Sequence, residues 1–229
     1  MPNDSILEII QNDLVFALKK GENTAKVIGS ISSCSNIVIP HSIDYESVKY
    51  VVKSISQNSF KDSKSIKKVL FANDSELTTI KKNAFADSTI ETLLLTSFVS
   101  QLEDGWCYNT SNLSRIAIVP KNEYFIYFDN QMILGKSDID SDVYDILFFI
   151  RRDSKTITIP SFVKQIASYA FQYSQIEKIF IPHHVTKICE GAFDHCDQLK
   201  CVEFEKNSEL QTIEQDAFPE ALINTINFP

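Results

Sequence analysis

The length, composition and charge of the chain limit what it can be. Its 229 residues are 44% hydrophobic and include 16 phenylalanines, which is enough apolar material for one sizeable core or two. A formal net charge of −8, with lysine and arginine scattered along the chain, argues against a nucleic acid partner and against an anionic membrane. No apolar run is long enough for a signal peptide or a membrane span, so the sequence predicts a soluble chain without membrane insertion.

Residues 1–54 are predicted to form a β-rich N-terminal cap. Ser5 and Glu8 have the spacing of a capping box, which favours a short helix over residues 3–11. Strands are predicted at the apolar runs 14–18, 24–28, 37–39 and 50–52. A segment of this kind would cover the exposed core at the end of a stack of repeats.

From residue 55 onward the chain repeats one unit: Ile or Leu, three variable residues, a small residue and Phe, then a short alternating apolar run. The Phe position is occupied in turn by Phe60, Phe85, Cys107, Phe171, Phe193 and Phe218, at steps of 25, 22, 64, 22 and 25 residues. A period of roughly 20–29 residues with strand-like runs is typical of leucine-rich repeats. The sequence therefore predicts an α/β leucine-rich-repeat solenoid, with a parallel sheet on one face and short helical turns on the other.

The apolar runs of the repeats are expected to share one parallel sheet. Their central residues are Val69, Leu93, Ile116, Ile179, Val202 and Ile226. The five Phe residues of the repeated position are expected in the core. Three residues after that position, Ser63, Ser88, Thr110, Ser174, Cys196 and Ala221 form a column of mostly hydroxyl and thiol side chains. We interpret this column as structural, because such side chains can satisfy unpaired backbone groups in turns.

The repeat also resembles a known family. Residues Val185–Phe204 match nearly throughout the pattern Ile/Val-x-x-Ile-x-x-x-Ala-Phe-x-x-Cys-x-x-Leu-x-x-Val-x-Ile-Pro of BspA-like leucine-rich repeat proteins. Segments 102–107 and 134–153 resemble the form that this family takes in parasitic protists such as trichomonads. The resemblance covers about residues 37–229. It implies the solenoid fold and a group whose members are often cell-surface antigens or adhesion proteins, but it supplies no binding-residue motif.

Residues 121–156 interrupt the repeats. They contain a predicted hairpin, 124–128 with 131–134, and a further predicted strand at 143–150. This segment is either an insertion on a binding face or, as we favour, a degenerate repeat that keeps the stack continuous. With the cap at 1–54, repeats 1–3 at 55–120 and repeats 4–6 at 157–229, the whole chain is predicted to form one continuous domain.

Two clusters in the sequence resemble metal sites but lack the required ligands or spacing. Asp138, Asp140 and Asp142 have the spacing that begins a calcium loop, but Val143 and Phe149 stand where the loop needs Gly and Glu. Cys189, His195, Cys196 and Cys201 have a spacing that fits no closed zinc module. The pair His183 and His184 lacks a suitably spaced third ligand and is interpreted as a polar turn.

No catalytic motif is present in the sequence. It contains no Gly-rich phosphate loop, no G-x-S-x-G and no H-E-x-x-H. Asp138, Asp140, Asp142 and Asp145 are the only acidic cluster in the 121–156 segment, and no base or ligand set completes it. We therefore expect no enzyme activity, no cofactor and no metal.

What remains is a surface formed by the strand residues that face away from the core. One row contains Lys68, Thr92, Arg115, Lys178, Cys201 and Thr225, and the other contains Leu70, Leu94, Ala117, Phe180, Glu203 and Asn227. An exposed apolar row often marks a partner site. The candidate protein-binding residues are Leu70, Leu94 and Phe180, flanked by Lys68, Arg115 and Lys178.

The function predicted from these features is a non-catalytic protein-interaction module, such as a surface antigen or adhesion-type protein. Its partner would be another protein, from a host or from the same cell, with an acidic and partly apolar surface. The alternative is an intracellular structural scaffold or assembly subunit, because the odd number of cysteines, five, favours reduced thiols. The family resemblance favours the cell surface, and the alternative favours the cytoplasm.

Overall fold

The computed structural model describes residues 6–219, 223 and 225–227. The chain divides into two compact units, residues 1–123 and 124–229. Both units are coils of β-solenoid built from short strands joined by tight turns. In the described part of the chain the one helical element is a 3₁₀ helix at Lys20–Glu22.

The described residues of unit 1 form eleven strands. They are β1 (Leu7–Gln11), β2 (Leu14–Lys19), β3 (Thr24–Ser30), β4 (Asn36–Ile39), β5 (Ser42–Tyr45), β6 (Val48–Ile55), β7 (Lys68–Phe71), β8 (Thr79–Ile80), β9 (Thr92–Leu95), β10 (Gln101–Leu102) and β11 (Arg115–Ile118). One sheet has the order β1-β2-β3-β6-β8-β10, with β5 pairing β6. The other is a parallel ladder in the order β4-β7-β9-β11.

In the part of unit 2 that the structure describes, nine strands repeat this plan. They are β12 (Phe125–Phe128), β13 (Met132–Gly135), β14 (Ile146–Ile150), β15 (Gln165–Ile166), β16 (Lys178–Ile181), β17 (Lys187–Ile188), β18 (Cys201–Phe204), β19 (Thr212–Ile213) and β20 (Thr225–Asn227). One sheet has the order β12-β13-β14-β15-β17-β19. The other is a parallel ladder of β16, β18 and β20.

The apolar runs alternate as the sequence predicts. In β7 the side chains of Val69 and Phe71 are buried, and those of Lys68 and Leu70 are half-buried on the opposite side. The expected single parallel sheet is instead two ladders, one in each unit. The strand β4 also joins the ladder of unit 1, although the prediction placed it only in the cap.

Each unit begins with an antiparallel meander, which explains the irregular segments of the sequence. Strands β1, β2 and β3 pair antiparallel in unit 1, as do β12, β13 and β14 in unit 2. Both first hairpins turn through two residues with positive φ, Asn12 and Asp13 in one and Asp129 and Asn130 in the other. Such turns require left-handed backbone at both central positions, which Asn and Asp tolerate. The hairpin predicted within residues 121–156 is thus confirmed.

The prediction of a helix at the N-terminus is wrong. Residues Leu7–Gln11 form β1, which pairs with β2 in a register that joins Leu7 to Leu18. The strand alternates between half-buried and exposed residues, so pairing in the sheet outweighs the local capping signal. Ser5, which would cap the helix, lies outside the described residues.

The α/β prediction, with helical turns on one face, is also wrong. The Ile-x-x-x-Ala-Phe segments are chains of tight turns. In the first, Phe60 N and Asp62 N donate to Ala84 O and Ala86 O of the next coil, at 2.8 and 2.9 Å. Between them, Lys61 N donates back to Asn58 O at 3.1 Å. The backbone thus bonds alternately within the coil and between coils, and an α-helix cannot do this.

Residues with a left-handed backbone conformation give these turns their shape. Positive φ recurs two residues before and two residues after the repeated Phe position, at Asn58, Asp62, Asn83, Asp87, Gly105, Asn109, Tyr169, Tyr173, Gly191, His195 and Asp216. In unit 1 all of these positions are Asn, Asp or Gly, which populate this region at least cost. Their recurrence four residues apart in that half of the sequence is a sign against a helix.

The core of each unit is a column of apolar side chains. Phe60, Phe85, Phe171 and Phe193 are at most 2% exposed, as predicted, and Phe218 is half-buried against the core of unit 2. In the column of hydroxyl and thiol side chains, a hydrogen bond to the backbone supports a structural role for Thr110. Thr110 Oγ1 donates to Cys107 O at 2.6 Å. Ala221 of that column lies outside the described residues.

Candidate protein-binding surface

The outer face of the unit 1 ladder carries a row of apolar side chains. The strand register places Val38 beside Leu70 and Leu94 beside Ala117. Because β7 pairs with β9, the first pair of side chains lies next to the second. Neighbouring strands lie about 4.8 Å apart, so the row is continuous. Val38 is 56% exposed, Leu70 and Leu94 are half-buried, and Ala117 is exposed. We call Val38, Leu70, Leu94 and Ala117 the apolar row.

A polar row runs beside the apolar row. The register aligns Asn36 with Lys68, Lys68 with Thr92, and Thr92 with Arg115. Lys68 is half-buried and Arg115 is exposed. Within the described residues neither cation has a carboxylate in ion-pair distance. On a chain with a net charge of −8, this edge therefore presents unpaired positive charge beside an apolar surface.

In unit 2 the corresponding face is different. Phe180 is 48% exposed on β16, but its neighbour in the register is Glu203 and not another apolar residue. Lys178 Nζ lies 2.7 Å from Glu203 Oε2. This hydrogen bond raises the pKa of Lys178 and lowers that of Glu203. Phe180 is therefore a single exposed aromatic beside a neutralised charge pair.

The six residues predicted as a binding site fall into two groups. Leu70, Leu94, Lys68 and Arg115 lie together on the unit 1 ladder. Phe180 and Lys178 lie on the unit 2 ladder, where a groove of about 450 Å³ is lined by Lys155, Thr156, Gln175, Glu177, Lys178 and Gln198. That lining is polar, which is unlike the mostly apolar lining of small-molecule sites. Sequence reasoning missed Val38, although Ile37–Pro40 has the same pattern as Ile179–Pro182.

The acidic loop in unit 2 is closed by its own side chains. Asp138, Asp140 and Asp142 are exposed, and Asp138 Oδ1 accepts a hydrogen bond from Asp140 N at 3.1 Å. Asp145 is buried and accepts hydrogen bonds from the backbone and hydroxyl of Ser137, at 2.9 and 2.8 Å. Asp145 therefore holds the loop against β14.

Three of the five cysteines, Cys107, Cys189 and Cys196, are buried. All five lie in the described part of the chain, and none forms a disulfide bond. Cys196 is fully buried, and its Sγ donates to Phe171 O at 3.1 Å. Burial raises the pKa of Cys196 to about 11. Because the thiolate is the nucleophile and the metal ligand, this environment opposes both roles.

One cluster of potential ligands does assemble in the structure. His183, His184 and Glu209 place one ligand atom each within 4.8 Å of one another, and no second group of this kind occurs in the described ranges. The sequence shows the histidine pair, but Glu209 lies 25 residues beyond His184 and is brought close only by coil stacking. Within residues 6–219, 223 and 225–227, no helix is long and apolar enough to span a membrane.

Comparisons with known proteins agree with this architecture. The chain matches the family described as BspA type leucine rich repeat region, in six copies over residues 31–147 and 127–229. The chain therefore belongs to this family. No curated protein matches it. Proteins of this repeat type generally mediate protein–protein interactions and are not catalytic.

Three solved structures illustrate the likeness. The pneumococcal vaccine antigen PcpA is 16% identical with a TM-score of 0.55, covering 87% of this chain and 70% of that chain. A leucine rich cell surface protein from Faecalibacterium prausnitzii is 13% identical with a TM-score of 0.43, covering 98% and 100%. A leucine-rich repeat protein from Eubacterium ventriosum is 13% identical with a TM-score of 0.41, covering 97% of each chain. At these identities the first likeness shows the fold alone.

Proposed function

We propose that this chain, as a member of the BspA type leucine rich repeat family, is a non-catalytic protein-interaction module that binds through the apolar row of unit 1. The observation that carries the proposal is the juxtaposition of Val38, Leu70 and Leu94 with the unpaired cations Lys68 and Arg115. A continuous exposed apolar strip often marks a partner site, whereas isolated apolar residues are ordinary on protein surfaces.

The partner that fits this surface is a protein with an apolar strip bordered by carboxylates. Leu70 and Leu94 would supply buried area, and Lys68 and Arg115 would steer the encounter and fix the orientation. Binding should weaken as salt is added, because the cations lie at the edge of the surface where screening acts. Phe180 in unit 2 is a separate candidate contact, which the Phe180→Ser variant below tests by itself.

The surface antigen or adhesion role is the finer form of this proposal. It is supported by the family membership and by the antigen named among the similar structures. The partner would then be a host protein. The alternative, an intracellular scaffold or assembly subunit, is supported by five cysteines of which none is in a disulfide. Thiol titration of the chain isolated from its source without reductant separates the two, since bridged cysteines would contradict the scaffold.

The binding face is tested by paired variants. The Leu70→Ser/Leu94→Ser double variant and the Phe180→Ser variant are compared with Ile10→Ser as the control. Ile10 is apolar and 60% exposed in unit 1, but it lies on β1 in the other sheet. Circular dichroism and thermal melting first establish that each variant is folded.

Partners are captured from host and source extracts, identified, purified and titrated against each chain. The double variant should lose at least about tenfold in affinity, or roughly 1.4 kcal/mol, and the control should bind as the parent does. Equal loss in the control, or no loss in the double variant, would place the binding face elsewhere.

A further inference from the structure

The turn after β16 presents two adjacent imidazoles. Val185 N donates to Pro182 O at 3.1 Å, which closes a tight turn around His183 and His184. The two ring centroids lie 3.7 Å apart. His183 is half-buried and His184 is exposed, so both rings can be reached by a solute ion.

The next coil brings two carboxylates to these rings. Glu209 N donates to His183 O at 2.7 Å, which fixes the backbone of one coil against the other. Glu209 Oε2 then lies 3.2 Å from His184 Nδ1. Glu205 Oε2 accepts from His183 N at 2.9 Å and lies 3.1 Å from His183 Nδ1.

We propose that His183, His184 and Glu209 form a surface site for a divalent transition-metal ion of the Zn²⁺ class, with Glu205 supporting His183. Their ligand atoms lie within 4.8 Å of one another. The ligands of one zinc ion lie about 2.0–2.2 Å from the metal. Side-chain rotations that move the three ligand atoms by about an ångström therefore bring all of them to one ion. A carboxylate beside a metal-binding histidine orients its ring and raises its basicity, which is the role of Glu205.

The donor set determines which ions the site takes. Imidazole nitrogens suit Zn²⁺, Ni²⁺ and Cu²⁺, and two histidines with one carboxylate form a set typical of such sites. Ca²⁺ and Mg²⁺ prefer shells made of oxygen atoms, which two imidazoles do not offer. The side chains of Glu205 and Glu209 lie against the two imidazoles, and carboxylates favour a dication. The bound ion would join two successive coils of unit 2.

Unit 1 contains a natural reference for this site. Ile39–Ser42 reads Ile-Pro-His-Ser where unit 2 reads Ile-Pro-His-His, so His41 corresponds to His183 and Ser42 to His184. Glu76 occupies the position of Glu209, five residues after the last residue of the neighbouring strand. His41 Nδ1 bonds to Asp74 O at 2.9 Å. The turn at His41 corresponds in sequence to the turn at His183 but has one imidazole fewer. Within the described residues, it does not form a group of three possible metal ligands.

The test is calorimetric titration of Zn²⁺ into the full chain at neutral pH. A Cys34→Ser background removes the exposed thiol, which would bind zinc by itself. We expect one ion per chain, no binding of Ca²⁺, and weaker zinc binding as the pH falls because protons compete for the imidazoles. The His184→Ser/Glu209→Gln variant, which recreates the unit 1 turn at its histidine position, should lose at least about tenfold in affinity. The control His41→Gln should bind as the parent does.

A second measurement uses only the parent chain, so it tests the site even if the double variant does not fold. In the parent chain, Zn²⁺ should shift and broaden the imidazole proton resonances of His183 and His184 and leave those of His41 and His195 unchanged. Zinc should also raise the melting temperature of the parent, since an ion that binds only the folded state stabilises it. Absence of zinc binding in the folded parent, equal binding in the double variant, or shifts confined to His41 or His195 would each overturn the proposal.

Discussion

The ring of Phe193 stacks on the ring of Phe171, with the centroids 4.6 Å apart and the planes 18° apart. On its other side Phe193 stacks on Phe218, at 4.7 Å and 7°. In unit 1, Phe60 and Phe85 stack in the same way at 5.4 Å. The repeated Phe therefore joins each coil to the next. Phe193, which has a ring stacked on both of its faces, should contribute most to the stability of the fold.

Replacing Phe193 by Ala should lower the free energy of unfolding by about 3–5 kcal/mol, because it removes a fully buried ring and leaves a cavity between two coils. Urea denaturation followed by circular dichroism measures this. Phe180→Ala is the matched control: its side chain is 48% exposed, so the loss there should be below about 1 kcal/mol. A loss that small at Phe193 would show that the stacked column is not the core.

The left-handed turn positions make a second prediction. Gly191 has a φ of +60°, and a Cβ there would overlap the ring of Tyr169. Gly191→Ala should therefore cost about 1–2 kcal/mol from backbone strain, plus the displacement of the Tyr169 ring. Asn also adds a Cβ but tolerates positive φ better than Ala does, so Gly191→Asn should be the more stable of the two variants. Thermal melting of both variants measures the difference.

Gly29 is the control for this pair. Its backbone is not left-handed, and an added Cβ would meet its nearest neighbour, Ser59 O, at 3.6 Å. Gly29→Ala should leave stability unchanged or raise it by up to about 1 kcal/mol. Equal effects of Ala at positions 29 and 191 would contradict the assigned turn geometry.

Neighbouring arginines in unit 2 should differ strongly in their effect on stability. Arg152 is 3% exposed, donates from Nη1 to Tyr169 O and Ala170 O at 3.2 and 3.1 Å, and lies over the Phe149 ring at 4.4 Å. Arg152→Ala should cost about 2–4 kcal/mol, because the two hydrogen bonds of the guanidinium and its packing on the Phe149 ring are lost.

Arg151 instead forms an exposed ion pair with Asp153, at 2.6 Å. Arg151→Ala should cost no more than about 1 kcal/mol. Thermal melts of the two single variants provide the comparison, and similar losses would show that the buried guanidinium does not hold the turn at residues 169–170.

The buried thiol of Cys196 makes stability depend on alkaline pH. Burial raises its pKa in the folded chain from 9.0 to about 11. Above pH 9 the unfolded chain therefore loses this proton while the folded chain keeps it, so stability falls between pH 9 and about pH 11. At about 1.4 kcal/mol per pKa unit the full loss is roughly 2–3 kcal/mol.

The measurement is the difference in unfolding free energy between the parent and Cys196→Ala from pH 8 upward. The cavity left by the variant gives an offset that does not change with pH, so the difference should shrink as the pH rises. A constant difference would show that this thiol does not titrate differently in the two states.

The sequence determined the features that repeat locally. Strand side chains alternate with a period of two, so the inward positions of Val69 and Phe71 could be read directly from the apolar pattern. The repeated Phe position indicated the core column, because its spacing of 22 or 25 residues recurs within each half of the repeat array. The hairpin at residues 124–134 followed from two apolar runs around Asp129 and Asn130, a pair that suits a left-handed turn.

Only the tertiary structure decided the features that depend on a neighbouring coil. Ile-x-x-x-Ala-Phe has helical spacing, but Ala84 O and Ala86 O of the next coil accept hydrogen bonds from Phe60 N and Asp62 N, so the segment becomes a chain of turns. The same stacking brings Glu209 to His184 across 25 residues. Such contacts join positions one repeat apart, and the side chains that will lie opposite each other are set by coil register, which local propensity does not encode.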